Sequence, residues 1–314
     1  MHFPGCPWQI NGPASARSQL STSRVGPATP CSGGAVYARF GPGVCRLDPT
    51  LVLGSIQQVD AGKVRGRESD KVSGSFPRNT GRASTEAARL RSRPGQPAES
   101  VGPGLHALGL GGDRDAFLYV PARYRPDQPA PFVLTFHGAG GNASRGLYPL
   151  RDLADEVGLI LLSPASRQQT WDVLRGGYGP DVAFIDQALA VAFSRCAVNP
   201  DLLSISGFSD GASYALSLGI TNGDLFPTVM AFSPGFMAPR GQYGRPRIFI
   251  SHGTGDQVLA IDRTSRTIVP QLEQAGYDVR YREFAGAHTV PPEIAREALG
   301  WYLAPAEGVR PGAV

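Results

Sequence analysis

The sequence predicts an α/β fold for its last two-thirds. From about residue 104 short apolar runs alternate with longer amphipathic stretches, the pattern of strands interleaved with helices in a mostly parallel sheet. Each apolar run is too short for a buried helix, and Gly, Pro or Asp stands where one run gives way to the next. Residues 117–120 and 132–136 are the first strands. A helix over 149–157, stopped by Gly158, precedes a strand over 159–163. Asp181 follows Gly179 and Pro180 and precedes a helical run to residue 195, which places it as an N-cap. There follow a strand over 202–206, a helix over 211–218, and strands over 227–232 and 247–251. A helix over 264–275 with a kink at Pro270, a strand over 278–284 and a closing helix over 292–303 complete the series.

The 314 residues carry a formal charge of +4, with 41% hydrophobic and 18% charged side chains. No run approaches the roughly 18 uncharged apolar residues of a membrane-spanning helix, so no membrane span is expected. The 40 Gly and 28 Pro show no three-residue period, which excludes a collagen-like chain. Cys6, Cys31, Cys45 and Cys196 form no C-x-x-C pair, so neither a zinc site nor a dithiol motif is supported, and Cys196 is read as a structural thiol. Residues 1–100 hold 13 basic against 6 acidic side chains, the remainder 17 against 20. The basic front segment is rich in Gly, Pro and Ser and lacks apolar periodicity, so residues 1–103 are expected to be a disordered arm, 104–304 the catalytic domain and 305–314 a tail. Removal of residues 1–100 is accordingly expected to leave catalysis and melting unchanged. Its Arg residues are scattered without aromatic partners, so nucleic-acid binding is not expected. The first ten residues lack a basic and an apolar region of a secretion signal, and a cytoplasmic location is the expectation.

The chemistry lies in loops after strands. Gly207-Phe208-Ser209-Asp210-Gly211 is a G-x-S-x-G between a strand and a helix, where a sharp turn exposes the hydroxyl above the sheet. Ser209 is the candidate nucleophile. A serine needs a base to take its proton and a carboxylate to hold that base in the right tautomer. Asp256 lies in His252-Gly253-Thr254-Gly255-Asp256 just past one strand, and His288 in Ala285-Gly286-Ala287-His288 just past the next. Asp262 is the rival acid, set further into the following loop where capping is the easier role. His137 and His252 each precede Gly at a strand end, where a hydrogen bond to a nearby loop is the expected role.

Acyl transfer also needs donors for the developing oxyanion. His137-Gly138-Ala139-Gly140-Gly141-Asn142 follows the 132–136 strand, so the backbone amide of Ala139 is the first candidate. The amide of Asp210, at a helix N-terminus, is the second. There is no G-K-[ST] and no G-x-G-x-x-G here, so no phosphate loop is read and no cofactor or metal is expected. Trp171 is a candidate substrate-binding residue of an apolar cleft wall, with Phe236 and Met237; core packing is the alternative for each.

Over residues 104–304 these motifs, with Thr170-Trp171-Asp172-Val173 and Gly176-Gly177-Tyr178-Gly179-Pro180-Asp181-Val182, resemble the α/β-hydrolase esterases of the polyhydroxybutyrate depolymerase, feruloyl esterase and phospholipase/carboxylesterase group. The resemblance implies an α/β-hydrolase fold, Ser209 as nucleophile, His288 as general base and then acid, Asp256 as its orienter, and Ala139 with Asp210 as backbone donors. It departs from many polyester depolymerases in having Asp after the nucleophile. Between the strands at 227–232 and 247–251 there is room only for a loop, so no large lid is expected. The expected activity is cleavage of carboxylic esters of short to medium acyl chains, on small or polymeric substrates. The alternatives are a polyester depolymerase or phospholipase, a serine peptidase of the same fold, and a non-catalytic binding protein of that fold; the oligomeric state is not legible.

Overall fold

A computed structural model describes residues 85–305. The arm expected over 1–103 lies, for residues 1–84, outside the described residues, as do Cys6, Cys31, Cys45 and the tail from residue 306. Eight strands form one sheet: β1 (Gly104–Ala107), β2 (Ala116–Val120), β3 (Ala130–Phe136), β4 (Ile160–Pro164), β5 (Val198–Phe208), β6 (Thr228–Phe232), β7 (Arg247–Gly253) and β8 (Val279–Phe284). Their order is β1-β2-β4-β3-β5-β6-β7-β8. The contacts of β2 with β1 and β4 are antiparallel, and every other neighbouring pair is parallel. Parallel strands covered on both faces must be apolar throughout rather than alternating, and all five residues of β6 are buried.

Among the described residues, these helices cover the two faces: α1 (Ala143–Leu147), α2 (Arg151–Val157), α3 (Pro180–Arg195), α4 (Asp210–Thr221), α5 (Ser265–Gln274) and α6 (Pro292–Leu303). One face packs Phe132, Leu134, Ile205, Val229 and Ile250 against α3, α4 and α5. The other packs Val133, Leu161, Met230 and Phe249 against α1, α2 and α6. The expected strands and helices are all present, with three differences. The four residues of β1, with a Gly and an exposed edge, carry too weak a pattern to be read. The helix expected over 149–157 is α2, starting two residues later, and a further short helix, α1, precedes it. Asp181 is not the cap of its own helix: Gly179 holds that position, and the Asp181 carboxylate accepts instead from the amides of Arg167 and Asp172 at 2.5 and 2.7 Å. The capping is done from outside, by Asp172, whose Oδ2 accepts from the amides of Gly179 and Asp181 at 2.8 and 3.0 Å.

The front of the domain also lies upstream of residue 104. Ala88 and Leu90 are buried. The Asn222 side chain at the end of α4 pairs with this segment as a backbone amide would, accepting from Leu90 N at 2.8 Å and donating to Ala88 O at 2.9 Å. Arg89 makes a two-pronged bond to Asp224, 2.7 Å on each arm, and a third to Thr221 O. Residues 88–92 are therefore part of the described domain, not of an unstructured arm.

Candidate active site

The site sits at the C-terminal edge of the sheet, where β5, β7 and β8 deliver their following loops. Ser209, between β5 and α4, has φ 59° and ψ −123°. A side chain in that region is strained and persists only when its surroundings enforce it. They do so here: Ser209 N donates to Phe232 O at 3.0 Å, and a Cβ on Gly211 would overlap the carbonyls of Phe136 and His137. The turn is thus wedged between β3 and β6, and the Ser209 hydroxyl points out of it. His288 Nε2 lies 2.8 Å from Ser209 Oγ, and His288 Nδ1 lies 2.5 Å from Asp256 Oδ2. Since a carboxylate accepts, Nδ1 carries the proton and Nε2 is the acceptor for the hydroxyl, the tautomer a base needs. The Phe208 ring packs on the His288 ring at 4.6 Å and fixes its plane.

The Asp256 side chain is fully buried. Burial alone would raise its pKa, yet the net direction is down, because the amides of Leu259 and Val258 donate to Oδ1 at 2.8 Å each and His288 donates to Oδ2. The rival Asp262 is exposed and paired with Arg266 at 2.6 Å, away from either ring.

The amides of Ala139 and Asp210 have no protein acceptor among the described residues. Asp210 opens α4, so its amide carries the partial positive charge of that terminus. A Cβ on Gly138 would stand 3.3 Å from Ser209 Cβ, a tight contact that glycine spares where this loop approaches Ser209. The loop is held from behind by a buried His137. Its Nε2 accepts from Ser166 N at 3.0 Å, so its Nδ1 donates to Gly138 O at 2.7 Å, and burial pushes its pKa down to about 4 and keeps it neutral. Gly140 N donates to Gln169 O at 2.7 Å, and Arg114 donates to Gly141 O at 3.0 Å.

Trp171 does not line the cleft. It is fully buried, stacked on Tyr214 at 4.8 Å and tilted against Phe136 and His137, and its Nε1 donates to His137 O at 2.9 Å. An indole goes inside when its one polar atom finds a carbonyl there, which polar neighbours in sequence do not reveal. Met237 packs on the core, while Phe236 is half-buried in the loop beside Ser209. The sequence reading also missed Thr170, whose hydroxyl donates to Asp210 Oδ2 at 2.6 Å and ties the turn at Ser209 to the 169–171 segment. Asp210 had been read for its amide alone. The buried Cys196 is a structural thiol as expected, its pKa pushed up to about 12 by burial. No group of three or more metal-ligating side chains occurs among the described residues, and no helix among them is long and apolar enough to cross a membrane.

No protein-family model matches the chain, and no curated protein matches it in sequence. Solved structures do match. S-formylglutathione hydrolase FrmB from Staphylococcus aureus superposes with a TM-score of 0.52 at 13% identity, over 66% of this chain and 99% of that one. The fluorophosphonate-binding serine hydrolase FphF, also from Staphylococcus aureus, superposes with a TM-score of 0.50 at 14% identity, over 65% of this chain and all of the other. The shared feature at such identities is the architecture, and together with the strand order and the nucleophile turn after β5 it establishes that this chain has the α/β-hydrolase fold.

Proposed function

We propose that the protein hydrolyses carboxylic esters through an acyl-Ser209 intermediate. The reading is carried by one observation, the hydrogen-bonded series from Ser209 Oγ to His288 at 2.8 Å and from His288 to Asp256 at 2.5 Å. In this mechanism Ser209 Oγ attacks the ester carbonyl as His288 Nε2 takes its proton. The oxyanion of the tetrahedral adduct lies against the amides of Ala139 and Asp210, which need no reorganisation to receive it. Collapse breaks the bond to the alkoxy oxygen, which leaves as alcohol with the proton from His288. Water, deprotonated by the same nitrogen, then attacks the acyl-Ser209 ester and releases the acid. Asp256, held ionised by its donors, stabilises the imidazolium formed in each half-reaction.

The loop of 233–246 holds no helix, which favours small, accessible esters of short to medium acyl chains over lipid aggregates. The test is hydrolysis of a p-nitrophenyl ester series from acetate upward, with Ser209→Ala beside the wild type. Turnover that disappears in the variant and peaks at short chains supports the reading. A well-folded wild type that turns over no ester and takes no covalent label from a fluorophosphonate would sink it.

A further inference from the structure

Asp256 is flanked by two histidines, only one of which has a role in the reaction. Its Oδ2 accepts from His288 on the cleft side, and on the inner side His252 Nε2 lies 3.2 Å from the same oxygen. His252 stands at the end of β7, fully buried. Its Nε2 is also 2.8 Å from Leu259 O. A ring nitrogen that faces a carbonyl and a carboxylate meets only acceptors, so it carries the proton and shares it between them. Nδ1 is then the acceptor, and the Ser265 hydroxyl at 2.7 Å is its donor. The result is one unbroken series, Ser265, His252, Asp256, His288, Ser209, in which a buried serine and histidine mirror the reacting pair across a single carboxylate.

The bond to Leu259 O and the bond from Ser265 already satisfy both nitrogens of His252. Its contact with Asp256 is surplus to what a packed histidine requires. It is not surplus for Asp256. The amides of Val258 and Leu259 both grip Oδ1, whereas Oδ2 meets only His288 and His252, so without His252 the oxygen that faces the cleft is held by the His288 bond alone. The same ring grips Leu259 O while Leu259 N grips the carboxylate, so one side chain closes the 256–259 turn from both ends. We propose that His252 is a positioning residue that holds Asp256 Oδ2 in line with His288 Nδ1, with Ser265 selecting the tautomer that lets it do so. The kinetic consequence rests on the ester-hydrolase reading; the geometric one does not.

The test compares His252→Phe, which keeps a ring without a donor, with His252→Gln, whose amide reaches the same oxygen, and with Ser265→Ala. Two quantities are read: kcat and KM on p-nitrophenyl acetate, and the low-field proton resonance of His288 Nδ1–H, which reports its bond to Asp256 whether or not ester is turned over. The expected result for His252→Phe is a fall of about 10- to 100-fold in kcat, the worth of a bond to a charged group, with KM little changed and the resonance moved upfield. His252→Gln is expected to recover most of both, and Ser265→Ala to move the resonance the same way by less. A resonance unmoved in His252→Phe, or Gln no better than Phe, overturns the proposal. Should His252→Phe not fold, Ser265→Ala decides, an unmoved resonance again overturning it. A resonance that responds as expected in a protein without ester turnover would leave the positioning role standing and remove the ester-hydrolase reading.

Discussion

At the scale of single residues, the site depends on which atom carries each proton. Asp256→Asn keeps the shape of the acid but turns an acceptor into an amide that presents a donor or the wrong acceptor to His288, so the ring loses the tautomer that can take the Ser209 proton. We expect kcat to fall by about 10⁴-fold with melting nearly unchanged. Steady-state kinetics beside a thermal melt checks this, and near-normal turnover would hand the acid role to another carboxylate. Trp171 gives the opposite expectation. Because it is enclosed by Tyr214, Phe136 and His137, Trp171→Ala leaves a cavity, and the cost is stability, about 3–5 kcal/mol, rather than substrate affinity alone. A denaturant titration reads it; an unshifted midpoint with a raised KM would return Trp171 to the cleft wall. Both carboxylates at the start of α3, Asp172 and Asp181, have pKa values raised by burial, against the pull of the amides they cap.

At the scale of elements, two long-range seams hold pieces that have no regular secondary structure. Along α4 the hydroxyls of Ser213, Ser217 and Thr221 recur every fourth residue, each donating to the carbonyl one turn back. Each also accepts an amide of the 235–240 segment: Gly235 N and Ala238 N at 2.9 Å and Arg240 N at 3.1 Å. The helix thereby satisfies the backbone of an extended loop that no strand adjoins. The second seam is the segment at 88–92, and its contacts predict that residues 1–100 cannot be removed without effect. Removal through residue 100 strips Asn222 and Asp224 of their partners and uncovers the core beneath Ala88 and Leu90, so the melting temperature should drop, whereas the ester activity of molecules still folded should persist. The Arg89 bond holds the Asp224 carboxyl below the ordinary carboxylate range against the pull of burial. A depressed folded pKa gives stability that is present above the unfolded value of about 3.9 and is lost as pH falls through the lower, folded one. The melting advantage of wild type over Asp224→Asn should therefore hold steady above about pH 5, shrink as pH falls through about 4, and be gone only below the depressed folded pKa. An advantage constant down to pH 3 would show that this pair does not secure the segment.

At the scale of the whole molecule, parallel strands put every C-terminal end on one edge of the sheet. The register carries Phe208 of β5 beside Phe232 of β6, Phe232 beside Ser251 of β7, and Gly253 of β7 beside Phe284 of β8. Residues one to four positions beyond those ends then meet above the edge, although Ser209 and His288 are 79 residues apart. This is why a sequence can point to three side chains that the fold brings together: a G-x-S-x-G, an Asp and a His, each just past a strand, come close once the strands are parallel. The 233–246 loop is pinned to α4 and holds no helix, so it forms no helical lid among the described residues. Rate against ester concentration should accordingly rise smoothly through the solubility limit; a jump at the onset of aggregates would reveal an interfacial switch that this loop does not explain.

Local pattern by itself determined the α/β class and most of the elements, and it singled out Ser209, Asp256 and His288 as candidates and the short loop of 233–246, since alternation of short apolar runs, glycines at a sharp turn and loop length are all properties of neighbouring residues. Tertiary structure decided what distant residues do to one another. Trp171 turned inward because His137 O was there to receive its indole, Asp181 capped a neighbouring loop because Asp172 had taken its own helix, and residues 88–92 became ordered because Asn222 offered them an amide more than 130 positions away. A buried polar group must find its partner wherever the packed chain puts one, and no spacing within the sequence records which partner that will be.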